Sequence, residues 1–203
     1  MLASGQRGDT IIEVLLAVAV FSLVAVGALV VMNRGTNASQ RGLEVTLVKQ
    51  QVDSQAEALR AAQQDYFVTR SNGSSPANNT PAYAWTLART AGTQTIVASQ
   101  TACPTNFGDA FAMNGRNATY VRNTSLADSA NIVPYAQAKY TSDTVTDPNY
   151  TTISRVYGIW ITRQTVAGFT PTAYDFTIHA CWYGPGSQVP MQIQTIVRLY
   201  DAV

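Results

Sequence analysis

The chain has 203 residues, with thirteen Lys and Arg set against twelve Asp and Glu, and charged residues make up only 12% of it. A typical soluble domain carries roughly 25%. The surface is therefore polar without being ionic, and the balance of charge excludes a bulk electrostatic grip on nucleic acid or another polyanion. The length suits one modest globular domain plus an extended helix.

The first element is the most informative. Gly8-Asp9-Thr10-Ile11-Ile12-Glu13-Val14-Leu15-Leu16 places one carboxylate, Glu13, at the edge of a long apolar run. From Val14 to Met32 no residue is charged and Ser22 is the only polar one. A charge inside such a segment costs several kcal/mol in a bilayer unless it finds a partner, so it marks a functional site by default. Ile11–Met32 also meets the roughly 20 apolar residues that a transmembrane helix needs.

These residues resemble the start of a type IV prepilin or pseudopilin. Gly8 matches the residue after which a prepilin peptidase cuts, and Arg7 resembles the basic residue of the leader. Thr10, Ile11 and Ile12 stand where the family commonly has Thr-Leu-Ile, and Glu13-Val14-Leu15 completes its Glu-Val-Leu. Asp9 departs from the pattern, whose first mature residue is usually Phe, so the resemblance leaves N-methylation of the new terminus open. The motif covers about 25 residues of the chain and is specific; the rest carries no comparably sharp signature. A Sec signal peptide is the competing reading, but its apolar core of roughly 7–15 residues is shorter, and no A-x-A site follows Met32. A simple anchor explains the length of the run and leaves Glu13 and Gly8 unexplained.

The resemblance implies a division into a leader at 1–8, a transmembrane or filament-core helix at 9–32, an amphipathic continuation at 33–70 and a globular head at 71–203. It implies a structural subunit rather than an enzyme, a membrane precursor followed by an extracellular filament at the cell surface, and no cofactor. The implied partners are other pilin subunits, the prepilin peptidase, a cytoplasmic ATPase and the inner-membrane platform protein of the assembly machine. In the family, the glutamate matching Glu13 meets the amino terminus of a neighbouring subunit. A type II secretion pseudopilin shares the motif. A membrane-anchored binding domain that never polymerises is the reading from another class.

The apolar run passes directly into an amphipathic one. Between Ser39 and Tyr66 there is no Pro, and Gly42 is the only Gly. Val45, Val48, Val52, Leu59, Ala62 and Tyr66 recur at helical spacing, while Glu44, Lys49, Asp53, Glu57, Arg60 and Asp65 fall mostly off that stripe. Glu57 and Arg60 are placed to pair at i,i+3. One helix from Thr10 to Thr69 is expected, with Gly35 and Gly42 as its weak points.

Ser71 to Pro81 is rich in Gly, Pro, Asn and Ser, and ends the helix. From there to Asn149 the pattern is irregular. Short strands are expected at 93–99 and 117–122, and a polar loop over 131–149. The final third is clearer. Arg155–Thr165, Thr172–Tyr183 and Gln192–Tyr200 read as three strands with short connections, hence an antiparallel meander. Its apolar face, including Ile159, Ile161, Phe176 and Ile178, needs a cover, and the stripe on Val48–Tyr66 is the natural one. The expected fold class is α+β, type IV pilin-like: a long N-terminal helix packed on a C-terminal antiparallel sheet.

Candidate chemistry is sparse. Cys103 and Cys181 are expected to pair as a disulfide in an exported domain, with two buried free thiols as the alternative. Two cysteines and one histidine do not complete a tetrahedral metal site. His179 lies near Cys181, but two residues apart on one strand face is a routine packing arrangement, so no catalytic residue is expected. Asp143, Asp147 and Asn149 fit no twelve-residue Ca²⁺ loop. Arg116 and Arg122 form a weak electrostatic footprint, and a nucleic-acid partner is not expected. Trp85, Trp160 and Trp182 read as core.

Overall fold

A computed structural model describes residues 9–92, 101–128 and 133–201. The expected strand at 93–99 lies outside the described residues. The chain divides into two bodies, Met1–Leu43 and Glu44–Val203. Helix α1 runs from Asp9 to Ser71 without a break, slightly beyond the expected ends. Neither Gly35 nor Gly42 interrupts it. Three carbonyl-to-amide bonds after Val68 then close the helix, with Gly73 in the left-handed region at φ 71° supplying the turn.

In the second body α1 is the spine of the core. Val48, Val52, Leu59, Ala62 and Tyr66 are buried as the stripe predicts, joined by Ala56 and Ala58. The polar face is exposed and carries the Arg60–Glu57 pair at 2.5 Å. Glu44 differs from expectation. It is buried, and the Trp182 indole donates to its Oε2 at 3.4 Å.

Side-chain amides of α1 bind the strands. Gln55 is 1% exposed and makes two bonds of 2.6 Å, donating to the Met113 carbonyl and accepting from the Met113 N–H. Gln51 accepts from the Ala138 N–H, and Gln63 donates to the Tyr200 carbonyl. Asp65 accepts from the Ala82 N–H at the start of a second helix, α2 (Pro81–Thr90). That helix is absent from the sequence reading. Thr80 caps it through the Tyr83 N–H, and Pro81 occupies its first turn, where a missing N–H costs nothing.

Among the described residues eight strands follow, in three sheets. β1 (Ala112–Met113) pairs with β2 (Tyr120–Val121), which falls inside the expected strand at 117–122. β3 (Leu126–Ala127), β4 (Gln137–Tyr140) and β5 (Ile153–Tyr157) form the second sheet, in the order β3-β5-β4. β4 corrects the loop expected over 131–149: Ala138 is buried between the partly exposed Gln137 and the exposed Lys139, so even this polar stretch turns one side chain to the core.

The strand expected at Arg155–Thr165 is in fact two. Gly158 sits at φ 64°, a conformation that disfavours a side chain, and there the chain leaves β5 for β6 (Ile159–Val166) in a different sheet. β6, β7 (Ala173–Trp182) and β8 (Met191–Tyr200) form the expected antiparallel meander. Ile159, Ile161, Phe176 and Ile178 are fully buried and share one core with the α1 stripe. The result is the α+β architecture expected from the sequence. α2 adds Trp85, whose ring lies 5.7 Å from that of Phe176.

Cys103 and Cys181 are bonded, with their Cα atoms 5.6 Å apart. The bond ties the segment before β1 to the end of β7. Phe107, from the same segment, packs on Trp160 at 5.7 Å.

Candidate functional site

The first site is the surface of α1 between Ile11 and Met32. At 1.5 Å per residue this stretch spans about 33 Å, against a hydrocarbon core of about 30 Å. It is long and apolar enough to cross a membrane. Its large side chains are exposed, among them Leu16 at 66% and Leu23 at 75%. Ser22 satisfies its hydroxyl within the helix by donating to the Val18 carbonyl at 2.7 Å. An added Cβ at Gly27 would meet nothing, so the backbone there is open to close approach. Glu13 stands on the helix at the edge of the apolar surface, one turn after Asp9, where the helix starts. Gly8 and Arg7 lie outside the described residues.

The remaining candidates separate into structural roles. His179 is stacked on Trp160 with centroids 5.0 Å apart, and its Nε2 lies 3.1 Å from the Thr162 hydroxyl. Burial pushes its pKa down to about 4, so the ring is neutral at physiological pH. The nearby cysteine is already in the disulfide, which leaves no thiol for a Cys–His pair. Trp85, Trp160 and Trp182 are all buried, as expected of core.

Arg116 is half-buried and pinned in place by its neighbours. Its guanidinium lies 3.6 Å from the Tyr140 ring centroid and 3.9 Å from that of Tyr150. It donates to the carbonyls of Ser142 and Tyr150 at 2.8 and 2.5 Å, and pairs with Asp143 at 3.0 Å. Asp143 is thus an arginine partner, while Asp147 caps its own turn by accepting from the Asn149 N–H. Among the described residues no group of three His, Cys, Asp or Glu is arranged to hold a metal ion.

A second site, which the sequence reading missed, is a groove on the head. A cavity of about 550 Å³ is walled by α2 through Tyr83 and Leu87, and by Asn117, Tyr120, Arg122 and Thr152. A neighbouring cavity of about 430 Å³ shares Leu87, Tyr120 and Arg122 with it. Tyr120 is stacked on Phe111 at 4.8 Å, and burial raises its pKa to about 12, so it stays a neutral hydroxyl. No periodicity signals such a groove, because its walls come from a helix, a hairpin and a loop far apart in the chain.

Comparison of the chain with protein-family models, with curated proteins and with solved structures finds no match.

Proposed function

We propose that the protein is a structural subunit of a type IV pilus or a related filament, cut by prepilin peptidase after Gly8 and assembled through the Ile11–Met32 surface. One observation carries this reading: a carboxylate, Glu13, directly at the edge of the charge-free run Val14–Met32, whose large apolar side chains are exposed. A buried carboxylate is tolerated only when paired. Cleavage after Gly8 frees an ammonium at Asp9, and the Asp9 terminus of an adjacent subunit supplies a counter-ion to Glu13, in competition with the Asp9 terminus one turn back on its own helix. The pair offsets the desolvation of both charges and sets the axial stagger between subunits. Ala17, Ala19, Ala25, Gly27 and Ala28 allow helices to approach closely. Arg7 holds the precursor with its leader on the cytoplasmic side. In this scheme the subunit is a single-pass membrane protein first and part of a cell-surface filament afterwards. Its partners are further subunits, the peptidase and the platform protein of the assembly machine.

Sequencing the amino terminus of the cell-derived protein tests the processing step: residue 9 is expected, whereas a start near residue 36 would make the helix a discarded export signal. Glu13→Ala tests the pairing step. It is expected to leave cleavage intact and to deplete the chain from a sheared filament fraction, and normal filament incorporation would refute the charge pair. A chain that is cut at Gly8 yet never enters that fraction would point instead to an anchored, non-polymerising domain.

A further inference from the structure

We infer that the head carries a binding site for an acidic oligosaccharide in the groove between α2, the β1–β2 hairpin and the loops around Arg122 and Thr152. The two cavities lie side by side and share Leu87, Tyr120 and Arg122 in their linings. Their volumes, about 550 and 430 Å³, fall within the range of about 300–1,000 Å³ typical of ligand sites.

The chemistry of the lining selects the ligand class. The larger cavity is walled mainly by amides and hydroxyls, including Asn79, Asn117, Thr119, Thr124, Ser125 and Thr152. Such groups both donate and accept hydrogen bonds, as the hydroxyls of a sugar do. Tyr83 and Tyr120 add ring surface for the C–H faces of a pyranose. Asn117 and Thr119 already bond one another, and an apolar ligand would leave the remaining hydroxyls and amides unpaired, at a cost for each one desolvated.

Arg122 supplies the acid preference. It is the only charged residue in the lining of the larger cavity and stands at the junction of the two. Its side chain is exposed, and among the described residues it makes no ion pair. The contrast with Arg116 is direct: six residues away, that guanidinium is consumed by two rings, two carbonyls and Asp143. A planar guanidinium facing an open groove suits a carboxylate, which it can hold through two parallel hydrogen bonds. One cation is too few for a nucleic acid, whose affinity comes from many phosphate contacts. Asp109, in the smaller cavity, disfavours a dense polyanion as well.

The site is independent of the filament reading, since every residue in it belongs to the head. The test uses the full chain reconstituted in phosphatidylcholine nanodiscs, which avoids glycoside detergents. Titration calorimetry with trigalacturonic acid and with neutral galactotriose gives the two affinities. The acidic trimer is expected to bind at least about tenfold more tightly than the neutral one, a difference of about 1.4 kcal/mol. Arg122→Gln is expected to remove that preference, while Arg60→Gln, on the exposed face of α1, leaves it intact. Arg122 is exposed, so its replacement leaves the fold standing, and an unchanged melting curve checks this. Equal affinities for the two trimers, binding of neither at millimolar concentration, or undiminished binding by Arg122→Gln would each overturn the assignment. Full competition by inorganic phosphate would also overturn it, because a bare anion contact needs no sugar.

Discussion

Gln55→Met is the sharpest test of how α1 holds the head. The substitution keeps side-chain length and removes both polar atoms at a position that is 1% exposed. It orphans the Met113 N–H and carbonyl, each now satisfied at 2.6 Å. An unsatisfied buried group costs about 1–3 kcal/mol, and the better transfer energy of methionine returns part of the sum. A net loss of about 2–4 kcal/mol follows. For a body of this size, roughly 2–4 °C of Tm accompanies each kcal/mol, so the midpoint should fall by roughly 5–15 °C. Urea unfolding followed by the fluorescence of the three tryptophans reads the change directly, because Trp85, Trp160 and Trp182 are all buried. Gln64→Met, on the exposed face of the same helix, is the control and should stay within about 0.5 kcal/mol of the parent. A Gln55→Met loss no larger than that of the control, with an unchanged slope in urea, would refute the idea that amides of the helix complete the short β1 strand.

Three further outcomes follow from the head. Replacing Cys103 and Cys181 by Ser opens a loop spanning 78 residues and should cost about 4.5 kcal/mol by the chain-entropy relation, measured as a lower urea midpoint. His179 is held neutral, with its pKa lowered from 6.5 to about 4 by burial. The unfolded chain therefore takes up a proton that the folded one refuses. Stability is full above about pH 6.5 and is lost progressively as pH falls toward about 4, and a His179→Gln variant should show a flatter profile of urea midpoint over that window. Arg116→Lys keeps the charge but loses the planar fork between Tyr140 and Tyr150, so hydrogen exchange in residues 141–152 should accelerate by about tenfold or more.

The legible parts of this fold are those where one rule acts over many residues. The α1 stripe is visible because Val48, Val52, Leu59 and Ala62 repeat at helical spacing, and the β6–β7–β8 meander because alternating Val, Ile, Tyr and Trp lie between short turns. The parts that stayed hidden depend on single residues. Gly158 splits one apparent strand into two sheets through a left-handed backbone that leaves no mark on hydrophobic pattern. Gln51, Gln55 and Gln63 look like solvated helix positions until their strand partners are known. Thr80-Pro81 did offer a signal for α2, a capping hydroxyl followed by proline in the first turn, but the Ala-rich helix after it lacks a strong apolar repeat. The groove and the anchoring of Arg116 depend on segments that only the tertiary fold brings together. Glu13 drew notice in the sequence for the opposite reason: a charge at the edge of an apolar run violates a rule instead of obeying one.

That contrast yields a final prediction, because α1 exposes its apolar side chains over one stretch and buries them over another. Leu59 is fully buried, whereas Leu16 is 66% exposed, although both belong to one continuous helix. Leu59→Ala removes packed atoms from the head core and should cost about 2–5 kcal/mol in urea unfolding. Leu16→Ala removes atoms that touch no packed neighbour and should leave the same transition unchanged. Its cost appears only when the segment enters an apolar medium: three fewer buried carbons amount to about 2.4 kcal/mol at about 0.8 kcal/mol each. Partitioning of the full chain between buffer and phosphatidylcholine vesicles should therefore shift with Leu16→Ala and be indifferent to Leu59→Ala. If Leu16→Ala instead lowered the urea midpoint of the head, the apolar surface from Ile11 to Met32 would be stabilising the chain's own fold, and it would not be a surface reserved for membrane and neighbouring subunits.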